Sequence, residues 1–569
     1  MKRKKATIIF VVITTLIITI ATLGKNNLSS LNVEQLGKQL GLLTLIPTVL
    51  SVALAFISHN VLLSLLIGFL SGILILTLSY SNSILEIPLQ FINNTVVSLK
   101  NILFDIENLE IVLLCLVVGG MIELVRSSGG FEALAIKLTK KINTPRKAGL
   151  IGSLLGCIIF FDDYANALIV GPIMKPITDR VKVSREKLSY IVDSTAAPVT
   201  GIALISSWVA VEISAINDGL KLVGSNLSGF YLFINSIPFC FYCLFCLSFI
   251  FLNSMIGRDF GPMLNAEKRA RQGEPVSERS KKLESKKKSI VQDKMGKRIF
   301  VGVGSIVLLV GFAIASFYLN GRQLAIADGA LNVNSVFSLQ NVMTAISYAD
   351  TINLVSLSAF IGSIFAIITG CLLKLFNFKD AVKSWFVGAK NLLSTVLMLL
   401  LAWCLADTIT RLGATYYVVE IISLNVSPIL VPVLIFAACC IISCASGSYG
   451  CLFVVMPLAI PLAFKIISMG VNINEEVYLL ICIGSVMAGS IFGDHCSPVT
   501  DCTILSASGC GCTTMEHCKT QLPYAIVCAI VSVICGILLS TLGVNVIISL
   551  IIGLVIQILI LMFIGKKPI

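Results

Sequence analysis

The sequence has little charge for its length. Charged residues make up 13% of its 569 residues, whereas 56% are hydrophobic and the mean hydropathy is +0.96. A soluble domain carries about twice that charged fraction, so this chain cannot cover its apolar residues with a polar surface. The composition excludes a soluble globular protein and indicates a chain whose solvent is the lipid bilayer.

Motifs of pumps, enzymes and metal centres are also missing. There is no P-loop, and therefore no sequence basis for ATP-driven pumping. No Ser/His/Asp arrangement indicates an intramembrane hydrolase, so we expect no enzymatic activity and no cofactor. A zinc site is conceivable near the C-terminus, but its candidate ligands match no standard paired spacing and we predict no resident metal; they are Cys496, Cys502, Cys510, Cys512, His517 and Cys518.

Apolar runs of about 20 residues, long enough to cross a bilayer, recur along the whole chain. The first follows Met1-Lys2-Arg3-Lys4-Lys5 without a small-residue cleavage site, so we predict a retained span rather than a signal peptide. Several runs are interrupted by Gly, Pro or acidic residues and need not be straight spans. The fifteen runs lie near 6–23, 41–57, 61–79, 109–125, 148–174, 189–213, 229–253, 299–318, 352–373, 387–405, 428–445, 451–468, 478–493, 524–541 and 544–564.

The net charge of +12 comes from basic residues in three places, and it does not suggest nucleic acid. These places are the N-terminal Lys2 to Lys5 cluster, the loop from Arg258 to Arg298, and the tail at Lys566 and Lys567. The positive-inside rule puts all three in the cytoplasm. Both termini then share a side, so at least one of the fifteen runs is a re-entrant hairpin or merges with its neighbour.

The basic loop divides the chain. We predict a first transmembrane half over 1–254, a basic cytoplasmic loop over 255–298 with no apolar face worth burying, and a second transmembrane half over 299–569. The halves share a pattern, and such duplication is the usual plan of secondary transporters. Tyr164, Pro172 and Pro176 recur at the same spacing as Tyr449, Pro457 and Pro461, and Pro198-Val199-Thr200 with Ser206 recurs as Pro498-Val499-Thr500 with Ser506.

Four polar clusters lie inside apolar surroundings, and we predict that they form an ion-binding or substrate-binding site. An Asp at the centre of a membrane helix costs about 2.5–3.5 kcal/mol, which a lipid-facing helix does not offset. The clusters are Asp162, Asp163 and Asn166; Asp193, Ser194 and Thr195; Asp407 with Ser446 and Ser448; and Asp494, His495, Ser497, Thr500, Asp501 and Thr503.

Two of these clusters contain a proline that breaks the backbone ladder. Pro198 and Pro498 leave carbonyl and amide groups free, and such breaks are tolerated at membrane depth only where the backbone is buried in protein or lines a cavity. Freed carbonyls and hydroxyls suit a dehydrated Na⁺, and a nearby Asp can hold either a cation or a proton. The Ser/Gly run at 446–450 resembles the unwound tip of a helical hairpin.

Each cluster also has a structural interpretation. Asp162 and Asp163 can lie at the end of a span, and Asp193 can lie at the membrane interface because a charged segment precedes it. Asp407 can pair with Arg411. His495 is either a satisfied core histidine or a proton carrier, since His titrates near neutral pH.

The motifs resemble those of the NhaC-type Na⁺/H⁺ antiporter family. The resemblance covers about 100–525 and rests on Gly493-Asp494-His495-Cys496-Ser497-Pro498 with Asp501, on Phe160-Phe161-Asp162-Asp163-Tyr164, on the run from Arg185 to Pro198, and on Thr514-Met515-Glu516-His517 followed by Thr520-Gln521-Leu522-Pro523-Tyr524. It implies an all-α polytopic fold of two inverted repeats, each with a re-entrant hairpin and a broken helix. It also implies a homodimer.

The resemblance further implies exchange of internal Na⁺, or Li⁺, for external H⁺ across a bacterial cytoplasmic membrane, with Na⁺ at Asp494, Asp501 and Asp193. Cys502 departs from the expected pattern, in which Thr is usual, and this puts the cation selectivity in doubt. Relatives of the family move carboxylates or amino acids, so a Na⁺- or H⁺-coupled carrier of organic anions is the alternative. A receptor-like or structural protein would leave the intramembrane aspartates unexplained.

Overall fold

The computed structural model describes residues 31–568, except 59, 82–83, 140–141, 205, 284–293, 330, 332–340, 343–344, 346–347, 415, 418–419, 422–425 and 499. The predicted run at 6–23 lies outside the described residues. In chain order the helices are α1 Val33–Leu40, α2 Ile46–Ser58, α3 Val61–Tyr80, α4 Ile87–Leu103, α5 Ile106–Ser127, α6 Gly130–Thr139, α7 Pro145–Ile158, α8 Asp163–Arg180, α9 Arg185–Thr200, α10 Val209–Leu222, α11 Gly229–Ser236, α12 Phe241–Ile256, α13 Gly261–Arg271, α14 Met295–Ala327, α15 Thr351–Leu372, α16 Phe378–Asn391, α17 Leu393–Arg411, α18 Val431–Met469, α19 Glu475–Cys496, α20 Asp501–Cys510, α21 Thr514–Val531 and α22 Val546–Phe563.

Within the described residues, ten helical stretches are long and apolar enough to cross a bilayer, and the bent pair α11–α12 would add an eleventh. The all-α polytopic fold that the family resemblance implies is therefore confirmed. The apolar runs at 148–174 and 189–213 are each two shorter helices, α7 with α8 and α9 with α10. Polar residues in these runs mark breaks rather than the ends of spans.

Two breaks lie in the first half of the chain. Between α7 and α8 the backbone is extended at Asp162 (φ −162°, ψ 128°), and the Asp162 carboxylate accepts a hydrogen bond from the Ala165 amide at 2.6 Å. Asp162 is thus the N-cap of α8. α9 ends just after Pro198, and α10 begins only at Val209. Pro198 has no N–H to donate to the carbonyl one turn earlier, which weakens the last turn of α9.

The second half contains the other two breaks. In α18, Gly447 adopts φ +70° and ψ 176°, a conformation open to glycine. Cys451 Sγ lies 3.6 Å from the Cys439 carbonyl oxygen, whereas a straight helix would separate these residues by about 18 Å. α18 is therefore a helical hairpin with Gly447 at its tip, as predicted for 446–450. The fourth break separates α19 from α20 at Pro498.

The two broken helices run in opposite directions. The Arg185 guanidinium, at the start of α9, donates to the Cys510 carbonyl at the end of α20 (2.9 Å). At the other end of the molecule, the Tyr231 hydroxyl at the start of α11 donates to Glu476 at the start of α19 (2.7 Å). Since α11 follows α10 after a short loop, α9–α10 and α19–α20 lie antiparallel.

The basic loop packs against the transmembrane helices through α13. Met263, Ala266 and Ala270 are buried on one face of this helix, so the expectation that the loop has no apolar face is wrong for α13. Ion pairs fasten the same segment: Lys187 to Asp259 at 2.6 Å and Arg269 to Glu186 at 2.8 Å. We call this loop segment, Asp259–Arg271, together with its partners Glu186 and Lys187, the loop clasp.

The C-terminal tail lies beside the loop clasp. Asp259 and Lys566 exchange two backbone hydrogen bonds of 2.9 Å in an antiparallel bridge. The basic loop and the basic tail are therefore on the same side of the molecule, as the charge distribution predicts. The Arg146 guanidinium on α7 donates to the Ile256 carbonyl (3.2 Å), and the Arg180 guanidinium at the end of α8 to the Ile142 carbonyl (3.0 Å). Both ends of the α7–α8 pair consequently lie on this side.

Candidate functional site

The first part of the candidate site is built around Asp494, near the end of α19. The Asp494 side chain is 5% exposed, and its carboxylate accepts a hydrogen bond from the Ser448 hydroxyl. Ser448 follows the Gly447 break, and its hydroxyl also lies 2.9 Å from the Ser490 carbonyl oxygen. A Cβ on Gly493 would stand 2.3 Å from the Ser443 carbonyl carbon. Glycine at 493 therefore allows the hairpin tip to approach Asp494.

The chain after Asp494 turns back over its own carbonyl groups. Residue 498 is a proline, so the Asp494 carbonyl lacks its usual helical donor, and the Thr503 hydroxyl donates to it instead. The Thr500 hydroxyl lies 2.9 Å from that of Thr503 and 3.1 Å from the Ser497 carbonyl oxygen. Hydroxyl and carbonyl oxygens thus collect at this break.

Asp193 forms the second part of the site and is 0% exposed. Of the two positions considered for it, the structure has the buried one. Its Oδ2 lies 3.1 Å from His517 Nε2 and 2.7 Å from Gln521 Nε2, both on α21. The Cys502 thiol approaches Oδ1 at 3.4 Å. The cysteine that departs from the family pattern is therefore in direct contact with Asp193.

Gln521 connects the two parts. Its Nε2 also lies 3.2 Å from the carbonyl oxygen of His495, the residue after Asp494. The His495 side chain points elsewhere, with Nδ1 2.8 Å from the Tyr242 hydroxyl and its buried Nε2 without a partner. His495 consequently contributes its backbone to the Asp494–Asp193 region and its ring to α12.

The paired aspartates of the α7–α8 break have different surroundings. Asp162 caps α8, whereas Asp163 is buried and its Oδ1 accepts a hydrogen bond from Trp208 Nε1 at 3.3 Å. The Trp208 ring packs 5.1 Å from the ring of Tyr449, which follows Ser448 at the hairpin tip. Asp163 is therefore connected through Trp208 to the second and third breaks.

Asn166 and Thr195 hold the first-half helices together. The Asn166 amide donates to the carbonyls of Gly156 on α7 and Thr195 on α9, both at 2.8 Å. The Thr195 hydroxyl donates to the Ile191 carbonyl of its own helix at 2.8 Å, and Ser194 is buried beside it. These contacts fix the α7–α8 tip against α9.

Three consecutive residues at the start of α20 contact three different clusters. Asp501 is exposed and accepts a hydrogen bond from the Tyr164 hydroxyl at 3.3 Å, Cys502 contacts Asp193, and Thr503 contacts the Asp494 carbonyl. The structure thus brings together three of the four clusters and Ser448 of the remaining one.

Two of the predicted site residues have their contacts elsewhere. The Asp407 carboxylate accepts a hydrogen bond from Ser98 at 2.7 Å and lies 3.5 Å from Arg411, the partner considered from the sequence. The Ser446 hydroxyl donates to the Ile442 carbonyl within the first arm of the hairpin (3.0 Å). Within the described residues, neither side chain forms a hydrogen bond or ion pair with Asp494 or Asp193.

Sequence reasoning missed several partners in this region. His517 and Gln521 were not predicted as partners of Asp193, although a polar pair at i, i+4 in an apolar helix presents both side chains on one face. Trp208 and Tyr242 gave no such local signal. Of the zinc candidates in the described chain, Cys512 alone belongs to a group of three or more potential ligand atoms within 4.8 Å of one another, and the other two members are Glu186 and Glu516. Those carboxylates already accept hydrogen bonds from Arg269 and from Ser277, Ser280 and Thr513.

Known proteins resemble this chain in sequence and in fold. A family model described as the Na⁺/H⁺ antiporter family matches residues 199–541. An uncharacterized protein of Haemophilus influenzae is 31% identical over 493 residues, which are 85% of this chain and 88% of that protein.

Two solved structures share the fold. The YdaH transporter of Alcanivorax borkumensis aligns with a TM-score of 0.53 and 11% identity, over 82% of this chain and 91% of that one. MtrF of Neisseria gonorrhoeae, described as illuminating a class of antimetabolite efflux pumps, aligns with a TM-score of 0.54 and 12% identity, over 85% and 96%.

The fold, with buried acids gathered at helix breaks, is that of a multi-pass membrane transporter. The chain belongs to the Na⁺/H⁺ antiporter family, as its motifs predict.

Proposed function

We propose that the chain exchanges Na⁺, or Li⁺, for H⁺ across the bacterial cytoplasmic membrane, with external H⁺ entering as internal Na⁺ leaves. The observation that carries the proposal is the environment of Asp494. This carboxylate is buried, its side-chain partner is the neutral hydroxyl of Ser448, and it takes part in no ion pair of the described residues. An ionised carboxylate in such a place is costly unless a positive charge balances it. Either H⁺ or Na⁺ can supply that charge, and competition between them is what exchange requires.

The groups around Asp494 support a small hard cation as the competitor. Hydroxyls of Ser448, Thr500 and Thr503 and carbonyls of Asp494 and Ser497 supply the oxygen atoms. Carbonyls of unwound helices coordinate Na⁺ in other secondary transporters. In this proposal Asp494 binds the exchanged ion, Asp193 forms a hydrogen-bonded pair with His517, and the exposed Asp501 receives the ion at the start of α20.

A carrier of organic carboxylates or amino acids is the second candidate, and the site supports it less well. Helix N-termini at broken helices bind anionic groups in some transporters. Here those of α8 and α20 carry Asp162, Asp163 and Asp501, which repel an anion. Two buried basic side chains, Arg185 and Lys187, are paired with Asp179 and Asp259.

The proposal also includes a homodimer, cytoplasmic N- and C-termini, and a division of the chain into two transmembrane halves by the loop at 255–298.

Vesicle transport tests both candidates. In everted vesicles or proteoliposomes with a preformed ΔpH, we expect Na⁺ or Li⁺ to collapse the gradient, and Asp494→Asn to abolish this response. Asp380→Asn is the matched control, because Asp380 is an exposed residue of α16. No response to Na⁺ or Li⁺ across the neutral pH range, together with uptake of radiolabelled malate, lactate or amino acids, would replace the first proposal by the second.

A further inference from the structure

The proposed exchange gives no role to Glu212, a buried acid of α10. Glu212 lies in the first turn of α10, is 1% exposed, and its Oε2 has no hydrogen-bond partner. No ion pair or side-chain hydrogen bond of the described residues includes Glu212. Its Oε1 points to the end of α9, 3.5 Å from the position that a Cβ on Gly201 would occupy. A carboxyl group with this degree of burial and no partner is unusual.

The surroundings of Glu212 suit a proton rather than a metal cation. The titratable groups that interact with it electrostatically are the thiols of Cys240 and Cys243. Among the residues that the structure describes, the helices packed most extensively against α10, namely α5, α11, α17 and α18, place no charged group at Glu212. On the α9–α19 side, the Cβ position of Gly201 also lies 2.8 Å from an Ile491 methyl group and 3.3 Å from the Ala197 carbonyl oxygen. A bound Na⁺ would need several oxygen ligands, whereas a proton needs only the carboxylate.

Glu212 is connected to the candidate ion site through the α9–α10 break. Its amide donates to the Trp208 carbonyl at 3.0 Å, one turn earlier. The Trp208 indole donates to Asp163, and the neighbouring Ser207 amide donates to the Phe161 carbonyl at 3.0 Å. A movement at Glu212 therefore reaches the α7–α8 tip without passing through Asp494.

We propose that Glu212 is a second proton-binding residue of the transporter, and that its proton favours the described conformation, in which the Glu212 carboxyl group faces Gly201 of the α9–α10 break. An ionised carboxylate finds no partner among the protein groups around it and is penalised there. Loss of the proton therefore favours a conformation in which Glu212 becomes accessible. A ligand that binds one of two conformations more tightly shifts their populations, so proton release and movement of the break are coupled. This inference rests on the proposed Na⁺/H⁺ exchange.

Transport kinetics in proteoliposomes test the inference. Glu212→Gln keeps the shape of the side chain but can no longer bind and release a proton. For this variant we expect kcat to fall about tenfold or more, with KM for Na⁺ within about twofold of wild type. We also expect the pH profile of kcat to change shape, and Glu212→Asp to restore the wild-type shape. Glu132→Gln is the control; Glu132 also has a buried Oε2 without a partner, but it lies in the field of Arg126 and Arg298.

Hydrogen–deuterium exchange of the wild-type protein gives a second, independent readout. Amides of 201–212 should exchange faster as the pH rises, beyond the chemical pH effect, and those of Glu212→Gln should not. If Glu212→Gln transported Na⁺ with the kinetics of the wild-type protein and showed the same hydrogen–deuterium exchange, the inference would be overturned. The proposed Na⁺/H⁺ exchange would still stand. Absence of Na⁺/H⁺ exchange by the wild-type protein would instead overturn the proposed function and this inference with it.

Discussion

Asp494 and Asp193 carry the same functional group in different surroundings. Asp193 is hydrogen-bonded to a histidine and a glutamine, so its carboxylate has two side-chain partners within the protein. Asp494 has a serine hydroxyl as its side-chain partner, and a positive charge must come from outside. The difference follows from the helices that face each residue: α21 brings His517 and Gln521, whereas the hairpin tip of α18 brings Ser448. We therefore propose Asp494, rather than Asp193, as the residue that binds the exchanged ion.

Ser448→Ala tests that assignment because it removes the hydroxyl that hydrogen-bonds the Asp494 carboxylate. A hydrogen bond to a charged group contributes about 1.5–3 kcal/mol, so KM for Na⁺ should rise about tenfold or more. Na⁺-dependent collapse of ΔpH in proteoliposomes measures the change. Ser468→Ala, later on α18, is the matched control, since that hydroxyl donates to the carbonyl of Lys465. An unchanged KM in Ser448→Ala would mean that the ion binds elsewhere.

The acids of the site could be predicted from the sequence, but their partners could not. Asp163, Asp193 and Asp494 stand out because charge is costly in an apolar run. His517 lies 324 residues after Asp193, and nothing local to either residue encodes their contact. Glu212 was overlooked because it stands between the apolar residues Val211 and Ile213, in a helix without a proline.

At the scale of the elements, the helix breaks follow from local chemistry. Pro198 and Pro498 each lack the backbone N–H that a continuous helix needs, and Gly447 adopts backbone angles outside the helical range. The hairpin at Gly447 was predicted from the Ser/Gly run at 446–450. The α7–α8 break has no proline at its centre and was predicted only as an interruption by acids. The apolar face of α13 was missed because Met263, Ala266 and Ala270 stand among many charged residues.

The loop clasp depends on one buried ion pair. Burial raises the pKa of Asp259, but the Lys187 ammonium and hydrogen bonds from Tyr524 and Asn253 outweigh it and hold the pKa below its ordinary value of 3.8. A carboxyl whose folded-state pKa is lowered contributes stability above its unfolded pKa and loses it as the pH falls through the folded value. We therefore expect the clasp to hold at neutral pH and to loosen only below pH 3.8.

Asp259→Asn should loosen the clasp at neutral pH, because it leaves Lys187 buried without its counter-charge. Breaking one side of a buried ion pair costs about 3–5 kcal/mol. Hydrogen–deuterium exchange should accelerate at 259–271 and at the tail around Lys566, which is bridged to Asp259. Asp380→Asn should leave both segments unchanged. Equal protection in Asp259→Asn and wild type would show that the apolar face of α13 suffices to hold the loop.

At the scale of the whole molecule, the contacts favour the inverted repeats that the family resemblance implies. Each repeat would contain a hairpin and a broken helix: α7–α8 with α9–α10, and α18 with α19–α20. The first hairpin has both ends on the side of the basic loop. The Tyr478 hydroxyl of α19 donates to the Pro428 carbonyl just before α18 (2.7 Å), so the second hairpin starts at the opposite side, where α19 also begins.

Reporter insertions test this arrangement in bacterial cells. We expect green fluorescent protein inserted at 273–276, or fused after Lys567, to fluoresce, because the basic loop and tail lie on one side, which the positive-inside rule predicts to be cytoplasmic. Alkaline phosphatase inserted at 223–227 or 470–473 should be active, since these turns precede α11 and α19 at the other end. The reciprocal reporter at each position serves as the control. If 273–276 and 470–473 reported the same side, α9–α10 and α19–α20 could not both cross the membrane in opposite directions, and the inverted arrangement would have to be abandoned.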